Sequence, residues 1–93
     1  MRKYELMVVF PLEEDQFNPG VEAVRKTLAD FGAQVTSEET YGDRELTYEI
    51  QKRTRGRYVL FTITASPEKI IEMDHQLKLN VNLLNFLFVR VDE

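Results

Sequence analysis

Tyr4-Glu5-Leu6-Met7-Val8-Val9-Phe10, closed by Pro11, is followed at once by a stretch of a different period, and that switch decides the fold. Within the run, Tyr4, Leu6, Val8 and Phe10 share one side of a period-2 pattern, while Met7 and Val9 take the other. Apolar residues on both sides predict a central strand. Phe17, Val21, Val24, Leu28 and Phe31 then recur at intervals of four, three, four and three, which is one face of a helix. Asn18-Pro19 fits a cap followed by the first helical position, and a start a few residues earlier is also compatible. Gly32, directly after Phe31, fits a left-handed stop.

Downstream, 34–50 reads as an extended arm interrupted at Gly42, where a glycine in mid-strand implies a bulge or bend. Leu46, Tyr48 and Ile50 alternate with Glu45, Thr47 and Glu49, the pattern of a half-buried strand. Lys52 to Gly56 is expected to be a polar hairpin loop, and Tyr58 to Ala65, rich in aromatic and β-branched residues, the next strand. Ser66-Pro67 supplies a cap and a first-turn proline for a second helix with Ile70, Met73 and Leu77 on its apolar side. Asn80 to Asn82 is its expected end, and Leu84 to Val91 the last strand.

The order β-α-β-β-α-β, with right-handed crossovers, specifies an α+β ferredoxin-like sandwich: a four-stranded antiparallel sheet with both helices on one face. The 93 residues suffice for a single domain, 1–93. At 43% hydrophobic, with six Phe and four Tyr, the chain can build one core. The fold hosts many functions and names none of them.

Composition excludes several chemistries. Without cysteine there is no disulfide, thiolate nucleophile or cysteine metal motif, which fits a reducing cytoplasm. The N-terminus lacks the apolar stretch and cleavage site of a signal peptide, and no apolar run is long enough to span a bilayer. The single histidine, His75, has neither a second His nor a Cys to complete a metal or catalytic set, and reads as a helix-surface residue beside Asp74. Pro11-Leu12-Glu13-Glu14-Asp15, between the first strand and helix, would repel a phosphate, and its spacing matches no calcium loop. The chain is therefore expected to be no enzyme and to carry no metal or cofactor.

A net charge of −4 argues against a uniformly basic nucleic-acid coat, but the distribution is uneven. No acid occurs between Glu49 and Glu68, where Lys52, Arg53, Arg55 and Arg57 cluster. Acids gather at Glu13-Glu14-Asp15, Glu38-Glu39 and Asp92-Glu93, so a basic and an acidic side are expected. Four cations within six residues repel one another unless an anion neutralises them, and phosphate is a natural partner. Hairpin tips are also charged for solubility alone.

The RNA-recognition motif shares this topology but stacks bases on sheet aromatics. Its third-strand signature is met here by Arg55-Gly56, whereas Arg57, Val59 and Thr62 stand at its three aromatic positions. Backbone recognition of folded RNA is favoured over base stacking on the sheet. Met7, Val9, Tyr58 and Leu60, with Phe86 or Phe88, are expected on the sheet face away from the helices. Such an open apolar face marks a binding surface. A strand phase wrong by one residue would bury part of this set.

The opening Met1-Arg2-Lys3-Tyr4-Glu5 resembles the Met-Arg-x-Tyr-Glu start of the small-subunit ribosomal protein six family. Gly42-Asp43-Arg44-Glu45-Leu46-Thr47-Tyr48-Glu49-Ile50-Gln51-Lys52 resembles its Gly-x-Arg-x-Leu-x-Tyr-Pro-Ile-x-Lys pattern, with Glu49 in place of proline. Tyr58-Val59-Leu60 and Ala65-Ser66-Pro67-Glu68 are also similar, so the likeness runs nearly end to end. The resemblance implies a cytoplasmic, ribosome-associated, non-catalytic protein without cofactor. It would bind the central domain of small-subunit rRNA together with small-subunit ribosomal protein eighteen.

Basic residues that recur with the family are Arg2, Lys3, Arg44, Lys52 and Lys78; the acid-free window adds Arg53 and Arg55. These are the expected RNA contacts, and Phe86 and Phe88 the expected protein contacts. Relatives often carry arginine around Leu84 and Asn85, which are uncharged here. The competing reading is a small homodimeric regulatory or ligand-sensing domain of the same fold.

Overall fold

The computed structural model describes residues 1–91; Asp92 and Glu93, read above as an acidic pair, lie outside them. The elements are β1 (Arg2–Phe10), α1 (Glu14–Asp30), β2 (Gln34–Ile50), β3 (Arg53–Ala65), α2 (Pro67–Lys78) and β4 (Asn85–Arg90). The four strands lie in the order β2-β3-β1-β4, and every neighbouring pair is antiparallel. This is the ferredoxin-like sandwich that the alternation of periods specifies.

β1 and β3 are central and supply most of the core. Leu6, Val8 and Phe10 of β1 and Val59, Phe61 and Ile63 of β3 are buried, and they meet Val24 and Leu28 of α1 and Met73 and Leu77 of α2. Each such side chain contributes roughly 1.5–3 kcal/mol through its removal from water. The other face of the sheet carries Met7, Leu60, Leu87 and Val89, the last two exposed, with no helix above them.

α1 begins at Glu14, and Pro19 is its sixth residue rather than its first. Glu14 and Asp15 in the first turn complement the positive end of the helix dipole. Pro19 is exposed and, having no N–H, cannot donate to the Asp15 carbonyl one turn back. The other end matches expectation. Gly32 has φ +77, its N–H donates to Ala29 O at 3.0 Å, and the Ala33 N–H donates to Leu28 O at 2.9 Å. That pair of bonds is a Schellman closure.

The β2–β3 hairpin turns on Gln51 and Lys52, whose φ values are 50 and 64. Two consecutive left-handed residues make a two-residue turn of the kind that matches strand twist. The expected loop 52–56 is thus mostly strand, and Arg53, Arg55 and Arg57 stand on β3. The predicted irregularity at Gly42 is a bulge: the register slips between Thr40 and Gly42, and Gly42 has φ +92. A larger slip lies between Glu45, opposite Arg55, and Ile50, opposite Arg53. Leu46 to Glu49 therefore arch away from the ladder.

α2 starts as expected, with Ser66 as cap and Pro67 in the first turn, and ends at Lys78. In β4, Phe86 lies opposite Val8 and Phe88 opposite Leu6. Cross-strand partners share a face, so both rings lie on the helix side, half-buried against the core and edge-to-face with each other at 6.2 Å. This corrects their expected place on the open face, where Leu87 and Val89 stand instead. The sequence pattern shows which residues alternate; only the ladder to β1 decides which set faces the helices.

Candidate nucleic-acid interface

The basic residues fall into groups at two ends of the sheet. Arg2 and Lys3 pair with Ala65 and Thr64 at one end of the β1–β3 ladder, and Phe10 pairs with Arg57 at the other. The intervening length of β1 is roughly 25 Å at ~3.3 Å per residue. The hairpin end carries Arg44, Lys52, Arg53, Arg55 and Arg57. α2 begins beside the Arg2 end and runs back, so Lys78 comes near the start of β4, across the sheet from the hairpin. The expected RNA contacts therefore do not form one continuous patch.

Within the hairpin group the cations divide by what they touch. Arg57 is held on three sides. Its Nε donates to Asp43 Oδ1 at 2.8 Å, its Nη1 donates to Glu14 Oε1 at 3.1 Å, and its guanidinium lies 4.5 Å from the centre of the Phe17 ring. Hydrogen bonding to Asp43 first, and to Glu14, raises the arginine further above its ordinary range. The Arg57 hydrogen bond, with the Arg57 and Arg55 charges, holds the Asp43 carboxyl below its ordinary value against a smaller opposing effect of desolvation.

Arg53 also turns inward, donating from Nη2 to Gln16 Oε1 at 3.2 Å and meeting Glu13 Oε2 at 3.5 Å. The acidic Glu13-Glu14 segment thus supplies part of the neutralising charge that the basic window requires. The two were expected on separate sides of the molecule; at this end they interlock.

Among the described residues three hairpin cations form no ion pair with a carboxylate, although the Arg55 charge lies close enough to Asp43 to act on it. Lys52 has neither a hydrogen bond nor an ion pair among the described residues. Arg44 donates only to the Tyr41 carbonyl, at 3.4 Å, and Arg55 only to the Asp43 carbonyl, at 3.3 Å. All three are exposed. At the opposite end Arg2 and Lys3 are exposed and form no ion pair among the described residues. Lys78 is exposed but pairs with Asp74 at 2.8 Å, one helical turn back.

Phe86 and Phe88 face Ile70, Ile71 and Asp74 across a shallow groove of about 290 Å³ between β4 and α2. β4 is an edge strand, and Leu87 and Val89 project from its opposite face. His75 is exposed on α2. Among the described residues no three His, Cys, Asp or Glu side chains converge as a metal site, and no helix is long and apolar enough to cross a membrane.

The inward turn of Arg57 has a signal in the sequence. Arg57 has the same parity as Val59, Phe61 and Ile63, which places it, with Arg53 and Arg55, on the core side of β3, and it is the one of the three next to the core residue Val59. Tyr48, a member both of the strand alternation and of the family-like motif, is 81% exposed within the arch.

A four-stranded antiparallel sheet with two helices on one face, a basic hairpin and an apolar edge strand defines a small ferredoxin-like α+β domain. The profile of the ribosomal protein S6 family matches residues 3–90. The small ribosomal subunit protein bS6 of Treponema denticola is 57% identical over 93 residues, covering 100% of both chains. That of Treponema pallidum is 49% identical over 92 residues, covering 99% of each. The crystal structure of ribosomal protein S6 from Thermotoga maritima superposes with a TM-score of 0.85 at 22% identity, covering 97% of this chain and 87% of that one. The C-terminal domain of the MgtC protein from Mycobacterium tuberculosis shares the fold at a TM-score of 0.66 and 9% identity. Architecture alone would therefore not discriminate function. The chain belongs to the ribosomal protein S6 family, and it is a structural, non-enzymatic protein of the small ribosomal subunit.

Proposed function

We propose that the protein binds the central domain of small-subunit rRNA together with small-subunit ribosomal protein eighteen, and works in the cytoplasm as part of the subunit. The observation that carries this reading is the set Arg44, Lys52 and Arg55: three exposed cations on one hairpin that form no ion pair among the described residues. Cations so displayed suit phosphate oxygens, which fix position on a folded RNA without reading its sequence. Arg2 and Lys3, roughly 25 Å away along β1, serve a second stretch of backbone. Arg53 and Lys78 join on exchanging their present acid partners for phosphate.

The partner protein docks on the β4 edge. Phe86 and Phe88 offer half-buried rings there, and Leu87 and Val89 extend the apolar surface onto the open face. The test is purification of the tagged protein from its native cell at low salt, followed by sedimentation. Co-migration with small subunits, lost on raising the salt, is the expected result. A protein that sediments alone under all conditions, or as a dimer of itself, contradicts the proposal.

A further inference from the structure

We infer that Tyr48 and Tyr58 form a stacking site for one unpaired base of RNA, on the arch of β2 rather than on the flat of the sheet; this rests on the RNA-binding reading above. Tyr58, Val9 and Asn85 form a cross-strand row on the open face, because Val9 lies opposite Tyr58 in β3 and opposite Asn85 in β4. Over one end of that row the chain from Leu46 to Glu49 leaves the ladder, and a concavity of about 110 Å³ forms between the arch and the row. Leu46, Tyr48, Tyr58, Val9 and Asn85 line it, and no acid does.

The arch gives Tyr48 an unusual position. It is 81% exposed, although its alternation partners Leu46 and Ile50 are half-buried. An aromatic ring held in water on a strand that has left its ladder presents a π-face to a ligand. The surroundings select the ligand's chemistry. Asn85 Oδ1 accepts the N–H of Phe86 at 2.9 Å, which leaves its Nδ2 to donate to a base edge. Arg44, opposite Gly56 on the same face, and Lys52 at the turn lie four residues to either side of Tyr48, with Glu45 and Glu49 between them, and among the described residues neither cation forms an ion pair. Aromatic rings that stack on bases are a common means of holding single-stranded nucleic acid. A protein partner, by contrast, is served by the apolar band of Leu87 and Val89.

The test uses the full chain with its partner protein on the rRNA central-domain fragment, comparing wild type with Tyr48→Ala, Tyr48→Phe and Tyr48→Leu. Tyr48→Ala should weaken binding roughly fivefold to a hundredfold, with the salt slope unchanged because no charge is removed. Tyr48→Phe should bind within about twofold of wild type, since the π-face is kept. Association with the partner protein in the absence of RNA should be unaffected by all three changes. Wild-type binding by Tyr48→Ala, full rescue by Tyr48→Leu, or weakened association with the partner alone would each overturn the stacking site. If the wild-type protein shows no salt-dependent binding at all, the RNA-binding reading itself fails.

Discussion

Arg57 and Asp43, fourteen residues apart on paired strands, are joined by a 2.8 Å hydrogen bond from Nε to Oδ1. The same guanidinium reaches Glu14 and covers the Phe17 ring, so one side chain ties β2, β3 and the start of α1 together. In the sequence Arg57 looks like one more member of a basic cluster. In the fold it is a structural clasp, which separates cations that hold the protein together from cations that are free to hold something else.

That division makes Arg57→Ala the counterpart to removing Lys52. Loss of a ring contact and two partly exposed ion pairs should destabilise the fold by on the order of 1 kcal/mol. RNA affinity should be unchanged once both proteins are fully folded. Urea unfolding and binding titrations on the same preparation check both halves.

The clasp also sets an acid limit. Asp43 has its carboxyl pKa lowered from an ordinary 3.8, chiefly by the Arg57 hydrogen bond. A depressed folded value means that the unfolded chain takes up the proton first. The stabilisation is present above the ordinary value of 3.8 and is lost as pH falls below it through the folded value. Asp43→Asn should therefore be less stable than wild type at pH 7, with the gap closing as the pH drops below ~3.9. Urea midpoints of both proteins across this range provide the measurement; a constant gap would show that Asp43 acts other than through its charge.

Gly56 is needed for close approach. A Cβ at this position would sit 2.5 Å from Val9 Cγ1 and 3.3 Å from Leu46 Cδ2. Gly56→Ala should destabilise by about 1–3 kcal/mol through overpacking. It should also disturb the arch that carries Tyr48, visible as shifted Tyr48 ring resonances.

Lys52 tests stability against function in one substitution. Its φ of +64 strains any residue with a side chain. Lys52→Gly should raise stability by about 0.5–1 kcal/mol, as release of left-handed strain outweighs the added chain entropy. It should nonetheless weaken RNA binding by removing an unpaired cation. A variant that gains stability and keeps its affinity would remove Lys52 from the interface.

The fold was legible because the period changes cleanly: strand alternation in 4–10, helical spacing from Phe17 to Phe31, and the Gly32 and Ser66-Pro67 boundaries. The start of α1 was less so, since Pro19 suits a first turn and only the favourable charges of Glu14 and Asp15 extend the helix past it. The faces of β4 were ambiguous because both alternation sets are apolar. Phe86 and Phe88 look as ready for an open face as Leu87 and Val89, and the decision lies in the register with β1. Among the candidate contacts, Lys52 and Arg55 could be picked out by composition. That they form no ion pair among the described residues could not, because it depends on where Glu13, Glu14 and Asp43 come to rest.

The central claim is that the hairpin displays cations to phosphate, and replacing Lys52, Arg53 and Arg55 together by alanine tests it most directly. Affinity for the rRNA central-domain fragment, with the partner protein present, would be measured at several salt concentrations. The account predicts weaker binding on every RNA sequence tried and a salt slope reduced by about one unit or less per phosphate contact removed. Wild-type affinity together with a wild-type salt slope would contradict it, reduce the hairpin to a solvated tip, and move the RNA surface to Arg2, Lys3, Arg44 and Lys78.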